Sequence, residues 1–572
     1  MRSHPKGLLI LFFAEMWERF SYYGMRGILI FYLTKHFLFD DTAAQGQYGA
    51  YTSLVYLLPL LGGLMADRFL GTRKAIAFGA LLLVAGHFGM GIEGPPAVQT
   101  LNYQGAVYDF NVEKQGANRI IKLKVGDGLY DYASTGNGGI EIKSLPADAP
   151  LPALLSKDAY QLGVKAADPM YKNIMFLALA LIILGVGYMK PNISSIVGQL
   201  YKEGDPRRDA GFTLYYYGIN LGSFWAGILC GWLGESVGWW AGFGLAGVGM
   251  ALGWIVFVWG KPLLEGKGEP PVPARLKEKA FGPVNKEWAI YLSSIPVLAI
   301  IWFLVQNNAH VGMMLGAGSI AILIYVGVHI VRDCTKEERD RIFLAMVLVV
   351  AAVVFWTLFE QAGSSLNQFA DRNTQLTVMG KQVMTAAQTQ SFNPGFILIF
   401  APVFAALWAY LGNRRLDPNP VIKFGLALIQ VALGFFVLVW GAGYADTNFQ
   451  VPLFFLGFAY LLHTTGELCL SPVGLSQMTK LSTAKIFSTL MAIWFLASAW
   501  AQWLGGIVAQ WTASETVAGE VLDPSKALAT YSEVFFNIAC WSAGLGVLLL
   551  VLSPWLHKWA HGSDETKPLS EL

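Results

Sequence analysis

A chain of 572 residues that is 55% hydrophobic and only 14% charged, with a mean hydropathy of +0.47, is too apolar for a water-soluble fold, where about a quarter of residues carry charge. Its net charge of +2 supplies no basic stripe, which argues against nucleic acid as a partner. The composition is that of an all-α, polytopic membrane protein.

Hydrophobic runs predict fourteen spans, near 7–37, 48–67, 73–93, 173–200, 211–234, 239–260, 288–306, 310–331, 341–362, 394–411, 421–441, 452–475, 485–511 and 531–556. The first opens after Met1-Arg2-Ser3-His4-Pro5-Lys6, but its apolar run is interrupted by charge and shows no Ala-x-Ala site, so no signal cleavage is expected. Within it stands Glu15-Met16-Trp17-Glu18-Arg19-Phe20-Ser21-Tyr22-Tyr23-Gly24. On a 3.6-residue helix Glu15, Glu18, Arg19, Tyr22 and Arg26 share one face, so four charges lie at membrane depth. Each costs roughly 2.5–3.5 kcal/mol on insertion scales, and such groups face a bundle interior or a cavity and pair with one another. A Glu–Arg pair that only locks helices together is the alternative to a role in a transport pathway.

Gly62-Gly63-Leu64-Met65-Ala66-Asp67-Arg68 ends the second span. Residues 94–172 break the helical pattern. Alternation in Ala106–Val112, Ile120–Val125 and Gly139–Ile142, with Gly-rich turns between, predicts a small extracytoplasmic β module. It either shields the outer mouth or binds a partner. In the fourth span Lys190 precedes Pro191, which removes a backbone hydrogen bond; a lysine there needs an anion, and Glu360, Glu15, Glu18 or a substrate carboxylate are the candidates. The fifth span carries Phe212-Thr213-Leu214-Tyr215-Tyr216-Tyr217-Gly218-Ile219-Asn220-Leu221-Gly222-Ser223-Phe224. The domain division expected is 1–260, a six-helix half; 261–287, a linker rich in Pro, Lys and Glu; 288–331, an inserted hairpin with His310 at its turn; and 332–572, a second six-helix half. In the second half Trp356, Glu360 and Ser364 form one i, i+4 stripe, and His463, Glu467 and Ser471 another.

Twenty-five of the 40 lysines and arginines fall in connections on the side of the N-terminus, which predicts cytoplasmic termini. There is no Gly-x-Ser-x-Gly, His-Glu-x-x-His or Walker loop, and Gly242-x-Gly244-x-x-Gly247 lies inside an apolar helix, so no enzyme is expected. Cys230, Cys334, Cys469 and Cys540 lack zinc or disulfide-framework spacing, and neither metal nor cofactor is expected.

Taken together, the first-span motif, the second- and fifth-span motifs, Lys190-Pro191-Asn192, Trp356-x-x-x-Glu360-Gln361 and Glu467-Leu468-Cys469-Leu470-Ser471-Pro472 resemble the proton-dependent oligopeptide transporters, the POT or PTR family of the major facilitator superfamily. The resemblance covers everything except residues 94–172. It implies twelve core helices in two halves, to which bacterial members add a helical pair, and proton-driven import of di- and tripeptides across a bacterial inner membrane, with substrate at the interface of the halves. It implies that Arg26 and Lys190 handle the peptide carboxylate. Glu467, Asn220 and Asn393 would surround its amine and backbone, with Tyr22, Tyr23, Tyr56, Trp356 and Trp494 as walls and Ser471 beside them. Glu15, Glu18, Arg19 and Glu360 match proton-coupling positions, and the proton gradient is the energy source. A carrier of nitrate or of a peptide-like drug, or a sensor built on the 94–172 module, are the alternatives.

Overall fold

The computed structural model describes residues 4–202, 205, 207–482 and 487–562. Arg2, Lys485 and Lys567 of the charge census, and the first two residues of the 485–511 span, lie outside them. Fourteen long helical rods follow in order among the described residues: α1 Gly7–Phe31, α2 Asp41–Leu57 with its continuation Pro59–Met65, α3 Gly71–Met90, α4 Pro169–Gln199, α5 Arg208–Ser236, α6 Trp239–Trp259, α7 Lys286–Val305, α8 Asn308–Arg332, α9 Lys336–Phe359, α10 Phe392–Asn413, α11 Pro420–Ala442, α12 Leu453–Leu481, α13 Phe487–Gln510 and α14 Pro524–Leu556. Eleven helical stretches, of which Asp41–Met90 holds two rods, are long and apolar enough to cross a membrane. The two rods not among them are α1, with its four charges, and the Gly- and Tyr-rich α5.

The rods match the predicted spans, but several begin earlier, because polar caps extend them beyond the apolar runs. The Asp40 carboxylate accepts from Ala43 N at 2.9 Å and starts α2 at Asp41 rather than 48. Asp523 does the same for α14, from Lys526 N at 3.1 Å. Such caps satisfy amides that a helix start leaves without partners. At the other end α12 runs on to Leu481.

Rods α1–α6 pack on one another, chiefly α1 on α5 and α6 and α3 on α4, and α9–α14 form a second group in which α11 packs on α12 and α14. The groups meet along two seams, α2 against α13 and α5 against α10. In the first seam Gly49 and Gly506 approach so closely that a Cβ on Gly49 would lie 3.0 Å from the Gly506 Cα. The α7–α8 pair is shared between the groups: Tyr188 and Ser294 join α4 to α7 through their hydroxyls at 3.1 Å, and Trp503 Nε1 donates to the Asn308 carbonyl at 3.0 Å, joining α13 to α8.

The segment between α3 and α4 is a β module with strands β1 Val98–Tyr103, β2 Ala106–Gln115, β3 Asn118–Val125, β4 Gly128–Tyr130, β5 Tyr132–Ser134, β6 Ile140–Ile142, β7 Leu154–Leu155 and β8 Tyr160–Lys165. They form a five-stranded antiparallel sheet in the order β4-β3-β2-β1-β8 and a three-stranded sheet β5-β6-β7. At the opposite end of the bundle the 261–287 segment docks by an Arg73–Glu269 ion pair at 2.7 Å and a Lys74–Glu287 pair at 2.6 Å.

Candidate functional site

Charges that the sequence spreads over several hundred residues converge in the middle of the bundle. Arg26 of α1 is ion-paired with Glu360, and its Nε donates to the Tyr48 hydroxyl at 2.7 Å. The expected helical stripe through Glu360 and Ser364 is not regular. α9 ends at Phe359, Glu360–Gly363 form a tighter 3₁₀ turn, and a short helix resumes at Ser365. The break sets Gly363 against the pair, where a Cβ would collide with the Tyr48 hydroxyl and the Arg26 guanidinium.

Two turns earlier on α1, Arg19 is held by both neighbouring carboxylates. It is bidentate on Glu18, with Nη2 to Oε1 at 2.6 Å, and lies 3.4 Å from Glu15. All three side chains are buried. Lys190 stands apart from this arrangement. Its Nζ lies 4.0 Å from the centroid of the Tyr56 ring, and it has no ion-pair partner among the described residues. Arg19, Glu18, Glu15 and Glu360 act on it from other helices. Of Glu360, Glu15 and Glu18, none pairs with Lys190 in the structure, and the face of the Tyr56 ring lies against its ammonium instead.

A cavity of about 170 Å³ opens between the two helix groups, beside the Arg26–Glu360 pair. Tyr23, Arg26, Tyr56, Asn220, Trp356, Glu360, Asn393 and Glu467 all line it. Glu467 accepts from Asn393 Nδ2 at 3.0 Å, and the same amide reaches Thr464 at 3.0 Å. Among the described residues Glu467 has only neutral partners, although its carboxylate is buried. A second cavity, about 270 Å³, adjoins the first through Tyr56, Trp356 and Glu360 and is lined also by Ser471 and Trp494. Tyr22 borders neither cavity. It is buried under Arg19, whose guanidinium carbon is 5.2 Å from its ring. Asn220 faces the cavity while its amide nitrogen donates to the Tyr216 carbonyl within its own helix, at 3.1 Å. His463 turns largely to α11, its Nε2 3.1 Å from the Val431 carbonyl.

Sequence reasoning missed several wall residues. Gln390 donates to the Ala362 carbonyl at 2.5 Å and to Tyr460 at 3.3 Å, and both side chains line the first cavity with Tyr216. Gln390 sits in the short 3₁₀ turn before α10, a stretch that reads as loop. The Tyr215-Tyr216-Tyr217 run was visible, but without the neighbouring helices nothing distinguished the member that faces the cavity. Gln502 and Ser498 line the second cavity. Among the described residues no group of three or more His, Cys, Asp or Glu is placed to hold a metal ion.

A profile of the POT family matches residues 73–534. The chain belongs to the POT family. Over 517 residues it is 32% identical to the "Uncharacterized transporter YclF" of Bacillus subtilis, which covers 89% of this chain and 88% of that protein. It is 28% identical over 558 residues to "Dipeptide and tripeptide permease A" of Escherichia coli, with 97% and 93% covered. A crystal structure of a mutant peptide transporter POT in complex with alafosfalin superposes with a TM-score of 0.71 at 33% identity, covering 97% of this chain and 96% of that one. As a POT-family protein this chain is a multi-pass membrane transporter with the major facilitator architecture, not an enzyme.

Proposed function

We propose that this POT-family chain is a proton-coupled symporter that brings di- and tripeptides across a bacterial inner membrane by alternating access, with both termini in the cytoplasm. The observation that carries the reading is the cavity between the helix groups. One wall offers the cations Arg26 and, just behind Tyr56, Lys190; the other offers Glu467, a buried carboxylate with no cation against it among the described residues. A zwitterion would bring its ammonium to Glu467 and its carboxylate towards Arg26, taking the place of Glu360 there. The names of the relatives, a dipeptide and tripeptide permease and a peptide transporter, support the same substrate class.

The Arg26–Glu360 pair supplies a coupling step. A proton on Glu360 removes the negative charge that holds Arg26, and the freed guanidinium can take a substrate carboxylate bidentately. Proton and substrate then favour the same broken pair, and linkage makes each raise the affinity for the other. Glu15, Glu18 and Arg19 form a second buried ion-paired cluster two turns away, which in this reading takes part in proton coupling. In this reading 1–260 and 332–572 move as units about the central site, 261–287 is the cytoplasmic linker, and 288–331 packs against both. Tyr23, Trp356, Asn220 and Asn393 contact the peptide, and Ser471 and Trp494 extend the pocket towards the side chain of a longer one. The proton gradient is the only energy source required. Uptake of a labelled dipeptide into proteoliposomes under an imposed proton gradient tests the reading. Accumulation that collapses with an uncoupler is expected, and uptake indifferent to the gradient would overturn it.

A further inference from the structure

The β module between α3 and α4 has its own apolar core, built on Leu101, Phe110, Leu123 and Ile140, and two residues of that core come from the other helix group. Val517 and Leu522, on the hairpin between α13 and α14, are 0% and 6% exposed within it. Polar contacts follow the same line. Arg119 of β3 donates to the Ala518 carbonyl at 2.7 Å and to Glu520 at 3.2 Å, Ala518 N donates to Gln99 of β1 at 3.1 Å, and Lys157 is ion-paired with Glu515. A cover over the mouth would need none of these.

The module is tied to the first helix group. Ala97 N donates to the His36 carbonyl at the end of α1 at 2.9 Å, and only residues 166–168 separate β8 from α4. Three extended residues span about 10 Å, so the module cannot travel with the second group when the groups part. We propose that the 94–172 module is a latch between the two helix groups: it grips the Glu515–Leu522 hairpin while the outer ends of α2 and α13 are together, and it must release that hairpin each time the central cavity opens on that side. The latch rests on the alternating-access reading for its purpose, but its contacts can be tested without substrate.

The test uses Gln45, whose Nε2 bonds to Gln368 across the closed seam at 2.6 Å. In a background with the native cysteines replaced, Gln45→Cys is labelled by an impermeant maleimide added outside intact cells. Arg119→Ala removes both hydrogen bonds to the hairpin, to the Ala518 carbonyl and to Glu520, and labelling should quicken at least about tenfold, the equivalent of one such charge-assisted bond. Arg119→Lys, which keeps the charge beside Glu520, should return most of the way to the parent rate. Glu515→Lys, on the exposed rim, should quicken labelling in the same direction by a smaller factor. Unchanged labelling in Arg119→Ala and Glu515→Lys would overturn the latch, as would equal quickening by Arg119→Ala and Arg119→Lys. Uptake of dipeptide in the same cells separates the two readings. Unchanged labelling with intact uptake removes the latch and keeps the carrier, and quickened labelling without uptake does the reverse.

Discussion

Arg26 and Glu360, 334 positions apart in the chain, are ion-paired at the centre of the bundle, and the pair spans the two helix groups. Both side chains are buried, so removing one partner leaves a charge without compensation. Such losses cost about 3–5 kcal/mol. Arg26→Ala should therefore lower the thermal unfolding midpoint in detergent. Glu360→Gln, which keeps the shape, should abolish gradient-driven accumulation yet leave exchange of peptide between loaded vesicles. Full accumulation by Glu360→Gln would remove Glu360 from the coupling step.

Glu18 is the closer of the two carboxylates that hold Arg19. Neutralising it as Glu18→Gln leaves Arg19 with Glu15 alone, and proton-driven accumulation should be lost while counterflow persists. Normal uptake down an imposed proton gradient would return the cluster to a structural role.

Lys190 rests on the Tyr56 ring rather than on a carboxylate. The attraction of a cation for a ring face does not need the hydroxyl, so Tyr56→Phe should keep concentrative uptake. Lys190→Ala should abolish it. A Lys190→Ala protein with the parent's pH dependence of uptake would show that this lysine does not bind or release an anion during the cycle.

Among the described residues Glu467 has the Asn393 amide as its neighbour and no cation. If the peptide ammonium supplies one, Glu467→Gln should weaken a free dipeptide about ten- to a hundredfold, the equivalent of a contact worth roughly 1.5–3 kcal/mol. An N-acetylated analogue, which has no charged amine, should be almost unaffected. Equal weakening of both ligands in competition uptake would show that Glu467 serves the fold instead.

Glu520 belongs to the hairpin outside the membrane. Burial would push its carboxyl up, but Lys35 and Arg119 beside it hold it down to about 2, with Asp371 the opposing negative charge nearby. A carboxyl depressed on folding adds stability that is complete above its unfolded value of about 4.3 and is lost as pH falls through the folded one. Protection of the Ala518 amide from hydrogen exchange, corrected for intrinsic rates, should stay level from pH 8 to about 5 and fall only in stronger acid. Loss of protection near pH 6 would show that another group controls this contact.

The rods and the β module were legible because each writes its period locally: apolar runs of bilayer length, and alternation between Gly-rich turns. The charges at depth were legible because lipid makes them conspicuous. Partners were not. The sequence divides its cations and carboxylates between the two halves, and only the packed bundle shows that Arg26 crosses to Glu360 while Lys190 finds a ring. The place of Gly363 was hidden for a related reason, since it matters only because Tyr48 and Arg26 arrive there from other helices. Gln390 and Tyr460 became wall residues through the placement of one short turn. Val517 and Leu522 lie in a connection between two predicted spans, and only the packed structure shows the module closing over them.

Where α2 meets α13, Gly49 and Gly506 bring two backbones together with no side chain between them. A contact of this kind has no rotamer to change and no donor to satisfy before one helix slides on the other. In the alternating-access reading it would serve as a plain bearing between the two helix groups, and the friction would belong to the charged and amide pairs on either side of it.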